Sequence, residues 1–161
     1  MTHGDRGFTL IEVLIVVGIV AILALLAVPT YQGKLARDHV VESAPLVDLA
    51  KKPVAATWAL AQVFPADNAA AGLPPADKMV SNLLTSVRVD QGAVHVTFGN
   101  HASGVLRGKV LTFRPAIVEG APIVPVAWVC GYASPPEKMM ARGENKTSIE
   151  EGNLPWNCRS R

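Results

Sequence analysis

Gly7-Phe8-Thr9-Leu10-Ile11-Glu12-Val13 opens an apolar stretch that runs to Val28 with a single carboxylate inside it. Between Val13 and Val28 no side chain carries a charge. A run of that length and composition predicts a helix able to cross a bilayer core of about 30 Å. An ionisable group at the centre of such a helix costs about 2.5–3.5 kcal/mol on insertion scales, and less near the end, where Glu12 lies. An acid kept there needs a partner and marks a functional position.

The segment ahead of the run, Met1 to Gly7, is short, polar and carries Arg6. A secretory signal also has a basic start and an apolar stretch, with small residues at its cut site, here near Ala24 to Ala27. Two features argue against that reading: the acid inside the run, and an apolar core longer than the usual ~7–15 residues. Past Pro29 the pattern turns amphipathic, with Tyr31, Leu35, Val40 and Val41 set among Lys34, Arg37 and Asp38, which carries the helix onward. Pro29 removes a backbone hydrogen bond and Gly18 lowers helix propensity, so a kink is expected at these two positions.

A helix from Phe8 to about Leu60 would be roughly 80 Å long at about 1.5 Å per residue. Leu46, Leu49, Val54, Trp58 and Leu60 form the face expected to pack on a sheet. Pro45 and Pro53 predict a bend near one of them, or a helix in two pieces. From Phe64 to Asn82, Pro65, Asn68, Gly72, Pro74 and Pro75 punctuate a surface loop. Four strand patterns follow: Thr85 to Val89, Ala93 to Phe98 after the turn Asp90-Gln91-Gly92, Lys109 to Arg114, and Val124 to Cys130 with Pro125 at its start or edge. Their short links imply an antiparallel sheet. His95 is out of phase with Val94, Val96 and Phe98, so a solvated side chain is expected. In an exported chain the pair Cys130 and Cys158 favours a disulfide over a metal site, with two separate buried thiols as the alternative. A ring of that length would contribute about 3–4 kcal/mol in the chain-entropy account.

With Pro29, Tyr31 and Arg37 downstream, Gly7-Phe8-Thr9-Leu10-Ile11-Glu12-Val13 resembles the N-terminus of type IV pilins. The stretches Val87 to Gly99, Gly108 to Pro115 and Ala127 to Tyr132, and the ending Leu154-Pro-Trp-Asn-Cys-Arg159, resemble type IVa subunits. The likeness is weakest from Ala44 to Leu84. It departs from the family at Ala21, where a glycine is frequent, and at Pro45 and Pro53. The resemblance implies an α+β fold: a long N-terminal helix on a four-stranded antiparallel sheet, with a C-terminal loop closed by a Cys130–Cys158 disulfide. It implies a leader, residues 1–7, removed between Gly7 and Phe8 by a prepilin peptidase, and N-methylation of Phe8. Residues 8–60 would be the helix, with 8–28 in the membrane and later in the filament core, and 61–161 the globular head. Glu12 would pair with the terminal amine of a neighbouring copy during assembly. The implied function is a structural subunit of a surface filament used for adhesion, twitching motility or DNA uptake. It would sit in the inner membrane as precursor and then in an extracellular homo-oligomer built by an inner-membrane platform and motor. A minor pilin, a type II secretion pseudopilin and a DNA-receptor pilin are the competing readings.

No chemistry competes with that role. The net charge is +2 and no Lys/Arg run is longer than Lys51-Lys52. Arg88, Arg107, Lys109, Arg114, Arg142, Arg159 and Arg161 are dispersed, so nucleic acid stays open as a partner without being indicated. His3, His39, His95 and His101 are scattered, and no zinc spacing, nucleophile motif or phosphate-cradling loop occurs, so no enzyme, metal or cofactor is expected. Asn145-Lys-Thr147 matches the N-glycosylation pattern but is short and common, and reads as chance. Trp58, Trp128 and Trp156 read as core or sheet packing.

Overall fold

The structure, a computed structural model, describes residues 8–160. The chain divides into two compact units between Gln32 and Gly33. Helix α1 (Leu10–Glu42) is followed by α2 (Ala44–Ala61). The helix expected to reach about Leu60 is in two pieces, one of the outcomes Pro45 and Pro53 predict, parted at Ser43. Its hydroxyl donates to Val40 O at 2.7 Å, and Pro45 opens α2. A proline in the first helical turn loses no bond, because the N–H it lacks would have no intrahelical partner there. Pro53 lies inside α2 without ending it, and the Thr57 hydroxyl donates to its carbonyl at 2.9 Å. α2 closes at Gln62, whose φ of 57° is left-handed and whose N–H reaches Trp58 O.

α2 buries Val47, Ala50 and Val54. This corrects the expected face: Leu49 is 55 % and Leu60 89 % exposed, while Leu46 only borders the core. The opposite side of α2 is also apolar, so periodicity alone selects neither face. Lys51 extends across the sheet, its ammonium 4.2 Å from the Phe113 ring centroid. Burial pushes its pKa down, against an opposing pull from Asp48.

Five strands form one antiparallel sheet: β1 (Leu84–Asp90), β2 (Ala93–Phe98), β3 (Val110–Ile117), β4 (Ala127–Cys130) and β5 (Met140–Ala141). The order is β1-β2-β3-β4, with β5 on β3. β2 covers Val110 to Phe113 of β3, and β5 pairs with Ala116 and Ile117. Ala116 also pairs with Ala127 of β4, so β5 takes the β2 side that β2 itself leaves open. On the β4 side, the vacancy beyond β4 is filled by side chains. Val110 N–H donates to Ser148 Oγ at 2.9 Å and Thr112 N–H to Thr147 Oγ1 at 3.1 Å. Without that filling, the two backbone donors would lack partners inside the fold.

Val87, Val89, Val94, Val96, Phe98 and Leu111 form the core together with α2 and the end of α1. At the turn joining β1 to β2, Gly92 has φ +83°, and a Cβ there would come within 2.7 Å of the Phe64 ring, so only glycine fits. The loop after α2 is tied down by Asn68, which is buried. Its amide donates to Val87 O at 3.0 Å and its carbonyl accepts Val89 N–H at 2.6 Å, taking the place of a neighbouring strand.

His95 is 5 % exposed, contrary to the expected solvated side chain. The sheet face that alternation assigns to water is covered by the C-terminal segment, where Lys146 N–H donates to Thr112 Oγ1 at 3.0 Å. Cys130 and Cys158 are joined and buried, with Cα atoms 4.6 Å apart. Trp156 is 71 % exposed, so it does not pack in the core as expected.

Candidate functional site

Thr9 precedes the first residue of α1. Its Oγ1 accepts Glu12 N–H at 3.3 Å, and its carbonyl accepts Val13 N–H at 3.2 Å. Thr9 is thus the N-cap and Glu12 the third helical residue, the T-x-x-E spacing of a capping box. That spacing is present in the sequence itself, with the threonine as much a part of it as the acid. A carboxylate in the first turn faces unpaired N–H groups and the positive end of the helix dipole. Glu12 is exposed, so its charge is available to a group outside the chain.

From Phe8 to Leu26 every large apolar side chain is half or more exposed, from Val13 at 50 % to Phe8 at 80 %. α1 is the one helix among the described residues long and apolar enough to cross a membrane. Scattered exposed apolar residues are ordinary, but a continuous surface of this size marks a site covered by lipid or protein. The backbone stays helical through Gly18 and Pro29, and a Cβ placed at Gly18 would have nothing within 4 Å. Gly7, the expected cleavage residue, and the rest of residues 1–7 lie outside the described residues.

Within the head unit, α1 anchors two loops. Arg37 Nη1 donates to Gly152 O at 3.0 Å, a carbonyl that Arg159 Nη2 also reaches at 3.3 Å. His39 Nδ1 accepts Ser103 N–H at 3.0 Å, which requires a neutral ring with its proton on Nε2. On the outer sheet face Lys146 Nζ donates to Asp90 Oδ2 at 2.6 Å. That hydrogen bond holds the Asp90 carboxyl below the usual carboxylate range and the Lys146 ammonium above its usual value. Both groups are solvent-accessible, so the pair adds little stability.

Open clefts beside the sheet include one of 490 Å³ lined by Asn68, Leu73, Arg88 and Asp90, and one of 430 Å³ lined by Trp128, Ser134, Pro135 and Glu137. Among the described residues no hydrogen bond joins Ser134 to Glu137, and no cluster of His, Cys, Asp and Glu could hold a metal ion. The geometry with a clear physical capacity is the capped, acid-bearing apolar surface of α1.

Residues 36–159 match the family model for pilin, a bacterial filament protein, and residues 2–28 match the prokaryotic N-terminal methylation motif. The chain is 31 % identical to the type IV major pilin protein PilE of Neisseria gonorrhoeae, over 96 % of this chain and 94 % of that relative. It is 30 % identical to a fimbrial protein of Neisseria meningitidis serogroup B over the same shares. Against the fimbrial protein EcpC of Eikenella corrodens the identity is 35 %, over 78 % of this chain and 82 % of the relative.

Proposed function

We propose a function from one premise: the chain belongs to the pilin family of bacterial filament proteins. It is a structural subunit of a type IV pilus. The observation that carries this reading is the continuous exposed apolar surface from Phe8 to Leu26 with one carboxylate, Glu12, at its capped end. While the precursor lies in the inner membrane, lipid covers that surface. On extraction, the same surface on neighbouring copies replaces the lipid, and lateral packing holds the polymer without covalent links.

In this account a prepilin peptidase removes residues 1–7, and Phe8 becomes an N-methylated terminus one helical turn from Glu12. Among the described residues Glu12 has no cationic partner, and cleavage creates a cation one turn away. A neighbour's amine meets the carboxylate in a low-dielectric core, where desolvation offsets much of the Coulomb gain. The pair therefore sets the axial register of a subunit more than it adds stability. Gly18 and Pro29 are the points where the helix bends or loosens as it is packed. An inner-membrane platform and motor supply the work of extrusion, and the finished polymer is extracellular. The relatives, a major pilin and fimbrial proteins, support a major subunit over a minor one.

The test is the composition of surface filaments sheared from the producing cell. Mass spectrometry is expected to find this chain as chief component, starting at N-methyl-Phe8. A product that keeps Met1 to Gly7 and stays a lipid-bound monomer overturns the reading. Replacing Gly7 with a larger residue is expected to leave the leader uncut.

A further inference from the structure

His95 is a buried titratable group for which the filament role has no use. It lies on β2 opposite Arg88 of β1 and Thr112 of β3. Thr112 is fully buried and its Oγ1 accepts the Lys146 amide N–H at 3.0 Å. Among the described residues His95 Nδ1, 2.9 Å away, is the acceptor within reach of the Thr112 hydroxyl proton, so that hydroxyl donates to Nδ1. The imidazole proton is then on Nε2. That tautomer turns an N–H, not a lone pair, toward Asp90 Oδ2 at 4.0 Å, too long for a hydrogen bond. Nε2 is buried without a partner. Lys146 Nζ completes the cluster, 2.6 Å from Asp90 Oδ2 and 3.5 Å from Glu144.

We propose that this cluster is an acid-released latch, in which a proton taken up from solvent at His95 Nδ1 detaches Lys146 from the outer face of the sheet. The proton removes the acceptor for the Thr112 hydroxyl, which is fully buried. The imidazolium repels the cations facing it, Arg88 on β1 and Lys146 on the C-terminal segment. It also draws on the Asp90 carboxylate that Lys146 needs. Glu144 is the remaining anion, 3.5 Å from Lys146 Nζ. Asn145, Thr147 and Ser148 stay in place: Asn145 Nδ2 donates to Gly131 O and its Oδ1 accepts Thr147 N–H, Ser148 N–H donates to Val110 O, and Thr112 N–H donates to Thr147 Oγ1.

Burial, and after it Lys146, lowers the His95 pKa in the folded state, in line with a fold that selects the neutral ring. The unfolded chain therefore takes up the proton first as pH falls. The stability contributed by the neutral ring is full above about 6.5, the unfolded value, and is lost as pH drops from there through the lower folded value. The inference does not depend on the filament reading, since every group lies in the head.

Hydrogen exchange of the full chain in detergent, corrected for intrinsic rate and compared at pH 7 and pH 5, tests the latch. Exchange of the Lys146 amide is expected to rise about tenfold per pH unit between the unfolded and the lower folded value, as a one-proton step requires, while Ser148 keeps its protection. In His95→Gln the rise should vanish. Lys146→Met, which keeps His95, should show raised exchange of the residue 146 amide already at pH 7. No rise in the wild-type chain, a rise spread over the whole sheet, a rise that persists in His95→Gln, or an unchanged Lys146→Met at pH 7 would each overturn it.

Discussion

Between Phe8 and Leu26 no large apolar side chain is less than half exposed, whereas Val94, Val96, Phe98 and Leu111 in the head are at most 1 % exposed. The two regions draw on the same residue types and on the same hydrophobic driving force. They differ in where the covering surface comes from. The head finds it within its own chain, by laying α2 on one face of the sheet and the C-terminal segment on the other. The N-terminal part of α1 leaves its apolar side chains exposed, and in the proposed function lipid or neighbouring copies cover them. Damage to one region should therefore appear as lost assembly, and damage to the other as lost stability.

Substitutions can break that separation, and the largest effect belongs to the first region. Glu12→Ala should reduce sheared filament yield by orders of magnitude while the melting curve of the head stays within error of wild type. A variant with normal filament yield removes the acid from the assembly account, and one with a lowered melting temperature would couple the two regions. Phe98→Ala, deep in the core, should cost the head about 3–5 kcal/mol in denaturant unfolding, with helix insertion into membranes intact. Cys130→Ser opens a ring with a sequence separation of 28. Its expected cost is about 3–4 kcal/mol under oxidising conditions, and reduction of the wild-type chain should reproduce it. Leu60→Ser sharpens the comparison from the other side. This leucine is as greasy as those of the core yet 89 % exposed, so the change in head stability should stay within about 0.5 kcal/mol.

Much of the fold was legible in local pattern. The alternation of Ala93 to Phe98, the turn at Gln91-Gly92 and the prolines after Val41 gave β2, its hairpin with β1 and the division of the helix. The acid at Glu12 within an apolar run gave the candidate site before any coordinates. What stayed hidden depended on which surfaces meet. The face of α2 was misassigned at Leu49 and Leu60 because both sides of that helix are apolar, so the choice rests with the sheet. His95 was assigned to water because alternation describes a sheet with one wet face. Only the fold brings Lys146 and Thr147 over the other. β5 is two residues long, too short for any periodicity, and exists because β2 leaves the end of β3 unpaired. Thr9 was overlooked although its spacing to Glu12 is a local signal.

Asn68 has a consequence beyond anchoring a loop. An open strand edge is a template for sheet growth from one molecule to the next. By taking up Val87 O and Val89 N–H with a side-chain amide, Asn68 blunts that edge at the outermost strand of the head. In the proposed filament, where identical heads lie side by side, such a plug leaves self-association to the greasy helices and keeps this edge from templating cross-β stacks.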